Sequence, residues 1–101
     1  MSLVPDIVCA LREVYDPEVG LNVVDLGLVY GLTESEGHVR VEMTMMNRIC
    51  PLVKYITGMA DAVIRQRVSG IEALQIDVVW DPPWSPAMVA EEEQRARLVH
   101  I

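Results

Sequence analysis

Phenylalanine is absent from the 101-residue chain, and two tryptophans and three tyrosines are its only aromatic side chains. Aliphatic residues and methionine must therefore fill the core. Cysteine occurs only at Cys9 and Cys50, which excludes a disulfide framework and favours a reducing compartment. No apolar run approaches the ~20 residues of a membrane-spanning helix, and no signal-peptide pattern opens the sequence. We therefore expect a cytoplasmic protein that does not enter a membrane.

Positive charge is scarce, because 8 lysines and arginines stand against 15 aspartates and glutamates, which gives a formal net charge of −7. An acidic chain without a basic cluster is poorly suited to phosphate backbones, so nucleic acid is not an expected partner. Catalytic motifs are also missing. No serine lies in a nucleophile-elbow context, no glycine-rich phosphate loop occurs, and neither His38 nor His100 has a spaced acid or nucleophile. We therefore expect that the protein is not an enzyme.

The hydrophobic periodicity predicts the element order α-β-β-α-β. Apolar residues at helical spacing cover residues 5–15 and 51–69, and strand-like runs cover residues 23–30, 38–45 and 73–80. A glycine-containing turn joins the first two strands into a hairpin, and the third strand is reached across a helix. The prediction is an α+β fold, a two-layer α/β sandwich with a small mixed three-stranded sheet.

The composition predicts one globular domain over residues 1–101, since apolar residues make up 51% of the chain. Ser85 followed by Pro86 is a typical signal for the start of a helix. We therefore expect residues 86–101 to form a charged C-terminal helix or tail.

Cys50 lies between a strand-like run and a helix-like run, directly before Pro51. Proline is favoured at the first helical position, so Cys50 is predicted to cap that helix. The partial positive charge of a helix N-terminus, and Arg48 two residues earlier, would favour the thiolate form. A thiolate can act as a metal ligand, nucleophile or redox group. The alternative is a small apolar residue that fills the junction.

A thiolate favours iron–sulfur or zinc binding over magnesium or calcium. The sequence has no paired-cysteine spacing and no histidine pair on one helical turn, so a closed four-ligand site within one chain is not expected. If Cys50 binds metal, the other ligands must come from a second copy, a partner protein or a small thiol.

Three carboxylates near the first predicted strand are candidates for a supporting role. Asp16 and Glu18 flank a proline, and turn formation explains them as well as a ligand role does. Asp25 lies among apolar residues of the predicted strand and must find hydrogen-bond donors there. It either bonds backbone N–H groups at a bulge or lies near Cys50, because a hairpin brings the first strand beside the second.

The segment from Trp80 to Trp84 holds two prolines, which stiffen the backbone between the two indoles. Trp80 continues the buried face of its strand. Trp84 either folds over the edge of the core or anchors a partner protein, since exposed tryptophans are frequent binding anchors.

Three blocks of sequence resemble the SufT/PaaD-like family of metal–sulfur cluster assembly factors. They are DPEVGLNVVDLGLVY from residue 16, CPL from residue 50 and DPPWSP from residue 81. Their order and separations match, and the resemblance covers almost the entire chain. It implies a fold like the iron–sulfur cluster assembly domain and a role in maturing iron–sulfur proteins. It also implies that Cys50 is the functional residue, with Asp25, Asp16 and Glu18 in support.

The chain departs from the family pattern just before Cys50. Relatives usually carry a Thr-Thr-Pro-Gly type segment there, whereas this chain has Met-Asn-Arg-Ile at residues 46–49, and only Thr44 remains nearby. The departure brings bulk and the positive charge of Arg48 to the segment. No cysteine follows Cys50, which argues against a stable zinc site.

These observations predict an assembly or client-targeting factor that carries an iron–sulfur cluster transiently, without requiring that the isolated protein holds one. The expected partners are the iron–sulfur assembly machinery and client apoproteins. The ligand shortfall and the exposed edges of a small sheet favour a homodimer. The alternative is a metal-free protein–protein adaptor that docks through the Trp84 segment.

Overall fold

The computed structural model of the chain describes residues 3–46 and 52–89. The elements in chain order are α1 (Val4–Leu11), β1 (Tyr15–Asp16), β2 (Leu21–Asn22), β3 (Val29–Ser35), β4 (His38–Met43), α2 (Val53–Arg67), β5 (Ala73–Val78) and a 3-10 turn (Pro86–Met88).

Strands β3 and β4 form the predicted antiparallel hairpin, in which Ser35 pairs with His38. The two turn residues, Glu36 and Gly37, have φ values of 51° and 84°. A two-residue turn with both residues in the left-handed region matches the right-handed twist of the flanking strands. This turn sets the register of the hairpin.

Strand β5 pairs with β4 in parallel, with Val41 opposite Ile76. A parallel pair needs a crossover connection, and α2 supplies it. The sheet order is β3-β4-β5, which the sequence had left open. The mixed three-stranded sheet and its two helices confirm the predicted α+β fold class.

The core lies between one face of the sheet and the two helices, which pack against each other and contact β3 and β5. Strand β4 shows the predicted alternation, since Val39, Val41 and Met43 are buried while His38 and Arg40 are exposed. Fully buried side chains from the two helices and from the segments between elements complete the core, among them Ile7, Leu11, Val14, Leu26, Leu28, Ile56 and Ile64.

The predicted strand over residues 23–30 is wrong in its first half. Residues 23–27 form turns, with hydrogen bonds from the Leu26 N–H to the Asn22 carbonyl and from the Gly27 N–H to the Val24 carbonyl, both at 3.0 Å. Asp25 therefore lies in a turn and not in a strand. The apolar side chains that suggested a strand, such as Val23 and Leu26, are buried without extended pairing.

The helices are also shorter than predicted. Helix α1 ends at Leu11, and Tyr15, predicted on its apolar side, pairs with Asn22 in the small β1–β2 ladder and is 50% exposed. The final helix predicted from residue 86 is described only for its first residues, which form the 3-10 turn, and residues 90–101 lie outside the described range. Among the described helices, none is long and apolar enough to cross a membrane.

Candidate functional site

The turn between β1 and β2 carries two of the predicted site residues. Asp16 is buried, and its Oδ1 accepts a hydrogen bond from the Glu18 N–H at 2.8 Å. The Asp16 carbonyl accepts the Gly20 N–H at 2.8 Å. A side-chain oxygen that bonds the backbone two residues on is typical of an Asx-turn. Asp16 therefore shapes the turn, and the exposed Glu18 stands on its surface.

Asn22 and Asp25 hold the next turn through two reciprocal hydrogen bonds. The Asn22 Nδ2 donates to Asp25 Oδ2 and the Asp25 N–H donates to Asn22 Oδ1, both at 2.9 Å. Asp25 thus meets its need for donors through a side chain and not at a strand bulge. The sequence analysis missed Asn22, although a buried asparagine three residues before an aspartate is a turn-forming pattern.

A row of backbone hydrogen bonds joins these turns to the end of β4. The Thr44 N–H donates to the Leu28 carbonyl at 2.7 Å, the Leu28 N–H to the Val23 carbonyl at 3.0 Å, and the Val23 N–H to the Val14 carbonyl at 2.9 Å. We call this row the backbone ladder. It brings the chain just before Asp16, the Asp25 turn and the end of β4 to one end of the protein.

Thr44 is the buried polar residue at that end. It is 0% exposed, and its Oγ1 has no hydrogen-bond partner among residues 3–46 and 52–89. The alternation of β4 predicted Thr44 on the polar face, but the strand ends at Met43 and the alternation does not continue. Leaving a buried hydroxyl unpaired costs about 1–3 kcal/mol. None of the described residues offsets this cost.

Arg48 and Cys50 lie outside the described residues, in the gap at residues 47–51. The chain enters that gap two residues after Thr44 and leaves it at Leu52, which is the N-cap of α2. The predicted cap at Cys50, with Pro51 as the first helical residue, is therefore wrong, because the first helical residue is Val53. No side chain caps the N-terminus of α2 in the described region, and its first turn carries no acidic residue. Among the described residues, no side chain therefore offsets the N–H groups and partial positive charge of that helix end.

Trp84 folds over the edge of the core, which is one of the two predicted alternatives. Its indole N–H donates to the Leu26 carbonyl at 2.7 Å, and its ring packs against the core. Nearby, the Tyr30 hydroxyl donates to the Pro82 carbonyl at 2.8 Å. The segment after β5 is thereby bound to the Asp25 turn. A partner-binding role for the exposed remainder of Trp84 stays a prediction.

The other candidate ligands are dispersed. Cys9 is an exposed free thiol on α1, and His38 is exposed at the start of β4. Within residues 3–46 and 52–89, no group of three or more histidine, cysteine, aspartate or glutamate side chains could hold a metal ion. The described residues therefore offer turns, a helix end and a buried hydroxyl around the gap, but no assembled metal centre.

The α+β fold agrees with comparisons to known proteins. Residues 5–78 match the model of the family described as iron-sulfur cluster assembly protein. The chain belongs to this family, and the SufT-like resemblance is confirmed.

Two curated relatives and one solved structure illustrate the similarity. An Fe-S protein maturation auxiliary factor of Porphyromonas gingivalis is 39% identical over 86% of this chain and 83% of its own. The Fe-S protein maturation auxiliary factor SufT of Staphylococcus aureus is 35% identical over 76% of this chain and 88% of its own. The crystal structure of a domain of unknown function, DUF59, from Bacillus anthracis superposes with a TM-score of 0.86 at 30% identity, covering 94% of this chain and 90% of that one.

Proposed function

We propose that this protein is a cytoplasmic, non-catalytic factor that carries an iron–sulfur cluster transiently through the Cys50 thiolate and delivers it to client apoproteins. Family membership supports the role in iron–sulfur maturation, and the names of the relatives are those of auxiliary factors and not of enzymes. The observation that carries the proposal is the backbone ladder, because it gathers the acidic turns and the end of β4 at the point where the chain enters the Cys50 segment.

The thiolate would be stabilised by the start of α2. A negative charge near a helix N-terminus interacts favourably with the first N–H groups and the helix dipole. The first turn of α2 carries no carboxylate to compete for them. Arg48 would add a positive charge from the same segment. A thiolate is the form that binds iron and that attacks or exchanges with other thiols.

The cluster is cargo in this proposal and not a resident cofactor. One thiolate cannot hold a cluster alone, since such clusters are ordinarily bound by four protein ligands. The remaining ligands would come from a client, from the assembly machinery, from a small thiol or from a second copy in a homodimer. Incomplete ligation would keep the cluster exchangeable, which a carrier requires. Asp16, Glu18, Asp25 and Thr44 would shape and support the loop region and not ligate iron.

Anaerobic reconstitution with ferrous iron and sulfide tests this proposal. Wild-type protein, Cys50→Ala and Cys9→Ala are compared by visible absorption and by bound iron and sulfide. We expect Cys9→Ala to match wild type and Cys50→Ala to hold none of the cluster. Equal cluster content in Cys50→Ala and wild type would rule out the carrier mechanism. Client binding that persists in a metal-free Cys50→Ala protein, but is lost in a Trp84 variant, would favour the adaptor alternative.

A further inference from the structure

We propose that two copies of this chain associate through the edge of β5 that no described residue pairs with, so that the two sheets join and the two α2 helices pack across the seam. This inference rests on the homodimer proposed above and assigns it a surface. It makes no use of the Cys50 thiol, and so its test is independent of cluster binding.

The backbone of β5 leaves three residues with hydrogen-bonding groups that point away from β4. The Ala73 N–H donates to the Gly37 carbonyl at 3.2 Å and the Val79 N–H to the Met43 carbonyl at 2.8 Å, so the odd-numbered residues face β4. Since successive residues alternate in direction, the N–H and C=O groups of Leu74, Ile76 and Val78 face the opposite side. No other part of the described chain bonds them there.

The side chains of the same three residues form an apolar strip that is only partly covered. Leu74, Ile76 and Val78 lie opposite Val39, Val41 and Met43, and therefore on the helix-covered face of the sheet. The β4 residues are at most 3% exposed, whereas the three β5 residues are all half-buried. The core is thus closed over β4 and open at the β5 edge, where a second apolar strip would complete it.

An antiparallel pairing centred on Ile76 satisfies both the backbone and the side chains. In that register Ile76 lies opposite Ile76 of the second copy, and Leu74 lies opposite Val78. The three outward-facing residues of each strand are then all in hydrogen-bonded positions, which gives about six backbone hydrogen bonds. On the other face of the sheet Gln75 lies opposite Asp77, and the Gln75 amide already donates to Asp77 within one chain at 3.0 Å.

Helix α2 is self-complementary about the same centre. Ile76 and four α2 residues line a depression of about 410 Å³, and these are Lys54, Thr57, Gly58 and Asp61. The midpoint of residues 54–61 lies between Thr57 and Gly58, so antiparallel packing of two α2 helices brings Lys54 of each copy to Asp61 of the other. Within one chain Asp61 already pairs with Arg65 at 2.9 Å, so Lys54 of the second copy would join that ion pair. A Cβ at Gly58 would meet nothing within 4 Å, which leaves room for a second helix to approach closely. Charge complementarity therefore favours a second copy as the occupant over an unrelated peptide.

This geometry has a consequence for the ligand shortfall at Cys50. Antiparallel helices place their N-terminal ends on opposite sides of the two-fold axis. With a rise of 1.5 Å per residue, the two copies of Val53 are about 14 Å apart along the helix direction. The second copy therefore does not bring a second α2 start to the first one. In this dimer we expect the missing ligands at Cys50 to come from a client protein, the assembly machinery or a small thiol, and no longer from the second copy.

Charge-reversal variants test the interface. Their association is measured by sedimentation velocity over a range of protein concentrations. We expect wild type to reach twice the chain mass of 11.3 kDa. Lys54→Glu creates two like-charge contacts by symmetry and should raise the dimer dissociation constant about tenfold. Asp61→Lys creates the same two contacts and also breaks the ion pair with Arg65 within each chain, so its effect should be at least as large. The double variant Lys54→Glu with Asp61→Lys should restore dimerisation. Wild type that remains monomeric, or single variants that dimerise as wild type does, would overturn the proposal.

Cross-linking supplies a second measurement that does not depend on charge. In chains that carry Cys9→Ala and Cys50→Ala, Gly58→Cys places a thiol beside the two-fold axis, and Thr33→Cys places one on the exposed face of β3 as the matched control. A short bismaleimide should give covalent dimers with Gly58→Cys and not with Thr33→Cys. Equal cross-linking at both positions would contradict this interface. Failure of this cross-linking, together with Cys50-dependent cluster binding in the otherwise wild-type chain, would remove the interface and leave the carrier function in place.

Discussion

The Trp84 indole N–H donates to the Leu26 carbonyl at 2.7 Å and joins two segments that are 58 residues apart in the sequence. Trp84→Phe keeps most of the ring packing and removes the donor, so we expect a loss of about 1 kcal/mol in the free energy of unfolding. Trp84→Ala also removes the packing and should cost about 3 kcal/mol. Urea titration measures both. Unchanged stability in Trp84→Ala would show that the side chain serves a partner and not the core.

Variants of Asn22 and Asp25 can distinguish a structural role of Asp25 from a chemical one. Asn22→Ala removes both reciprocal hydrogen bonds at a buried position and should lower the free energy of unfolding by about 2 kcal/mol. Asp25→Asn keeps a side-chain oxygen that can accept from Asn22 and should cost less. Thermal unfolding checks the order of the two variants. If Asp25→Asn is as stable as wild type but supports no client maturation, the carboxylate acts in the chemistry and its role is more than structural.

Gly27 and Gly20 form a matched pair of glycines, since both have φ of 75°. A Cβ at Gly27 would overlap the backbone carbonyl of Met88, whereas a Cβ at Gly20 would meet nothing within 4 Å. Gly20→Ala carries only the strain of the left-handed backbone and should cost about 1 kcal/mol. Gly27→Ala must also displace the Met88 segment, and we expect a loss of about 3 kcal/mol. Equal losses in chemical denaturation would mean that the close approach to Met88 does not persist in solution.

Thr44→Val tests whether the buried hydroxyl serves the Cys50 segment. If the hydroxyl is unpaired in the folded protein, its replacement by a methyl group should raise the free energy of unfolding by about 1 kcal/mol. Thr44→Ser keeps the hydroxyl and removes the methyl group, and it serves as the control. A loss of stability in Thr44→Val that Thr44→Ser does not share would show that the hydroxyl has a partner. Reduced cluster content in the same variant would place that partner at the thiol.

The hydrogen bonds of Glu34 predict that part of the folding stability is lost at acidic pH. Its carboxylate accepts the Leu3 N–H at 2.8 Å and the Gly37 N–H at 3.2 Å, and these bonds hold the pKa of Glu34 below its usual value. Because the pKa is lower in the folded than in the unfolded state, the contribution to stability is present above the unfolded pKa of about 4.3 and is lost as the pH falls through the folded value. Glu34→Gln should flatten the dependence of the urea midpoint on pH below about pH 5. A slope identical to that of wild type would contradict this role.

The sequence predicted those parts of the fold in which side-chain pattern and backbone geometry agree. In β4, Val39, Val41 and Met43 alternate with polar residues, and one buried face was the correct interpretation. The pattern failed over residues 23–27 because the buried apolar side chains there belong to turns. The Asn22 side chain stabilises these turns by accepting a hydrogen bond from the Asp25 N–H. Hydrophobic periodicity carries no information on a hydrogen bond between a side chain and the backbone. It also could not show that Thr44 would be buried, because that depends on where β4 ends.

The membership of the site stays a prediction, and its assembly could not be predicted from the sequence. The preference of proline for the start of a helix and the family blocks pointed to Cys50. The tendency of aspartate to form turns accounted for Asp16. What brings the turns to the end of β4 is a set of long-range backbone contacts, such as the bond from Thr44 to Leu28. Backbone amides are the same in every residue, so no sequence pattern encodes which of them meet.

The backbone ladder also bears on how this fold tolerates change. Its bonds run between main-chain groups of Thr44, Leu28, Val23 and Val14, and any residue except proline can supply such a donor. Exposed side chains at this end of the protein can therefore be exchanged without undocking the segments that display them. A scaffold built in this way can acquire new clients through surface substitutions while its geometry stays the same.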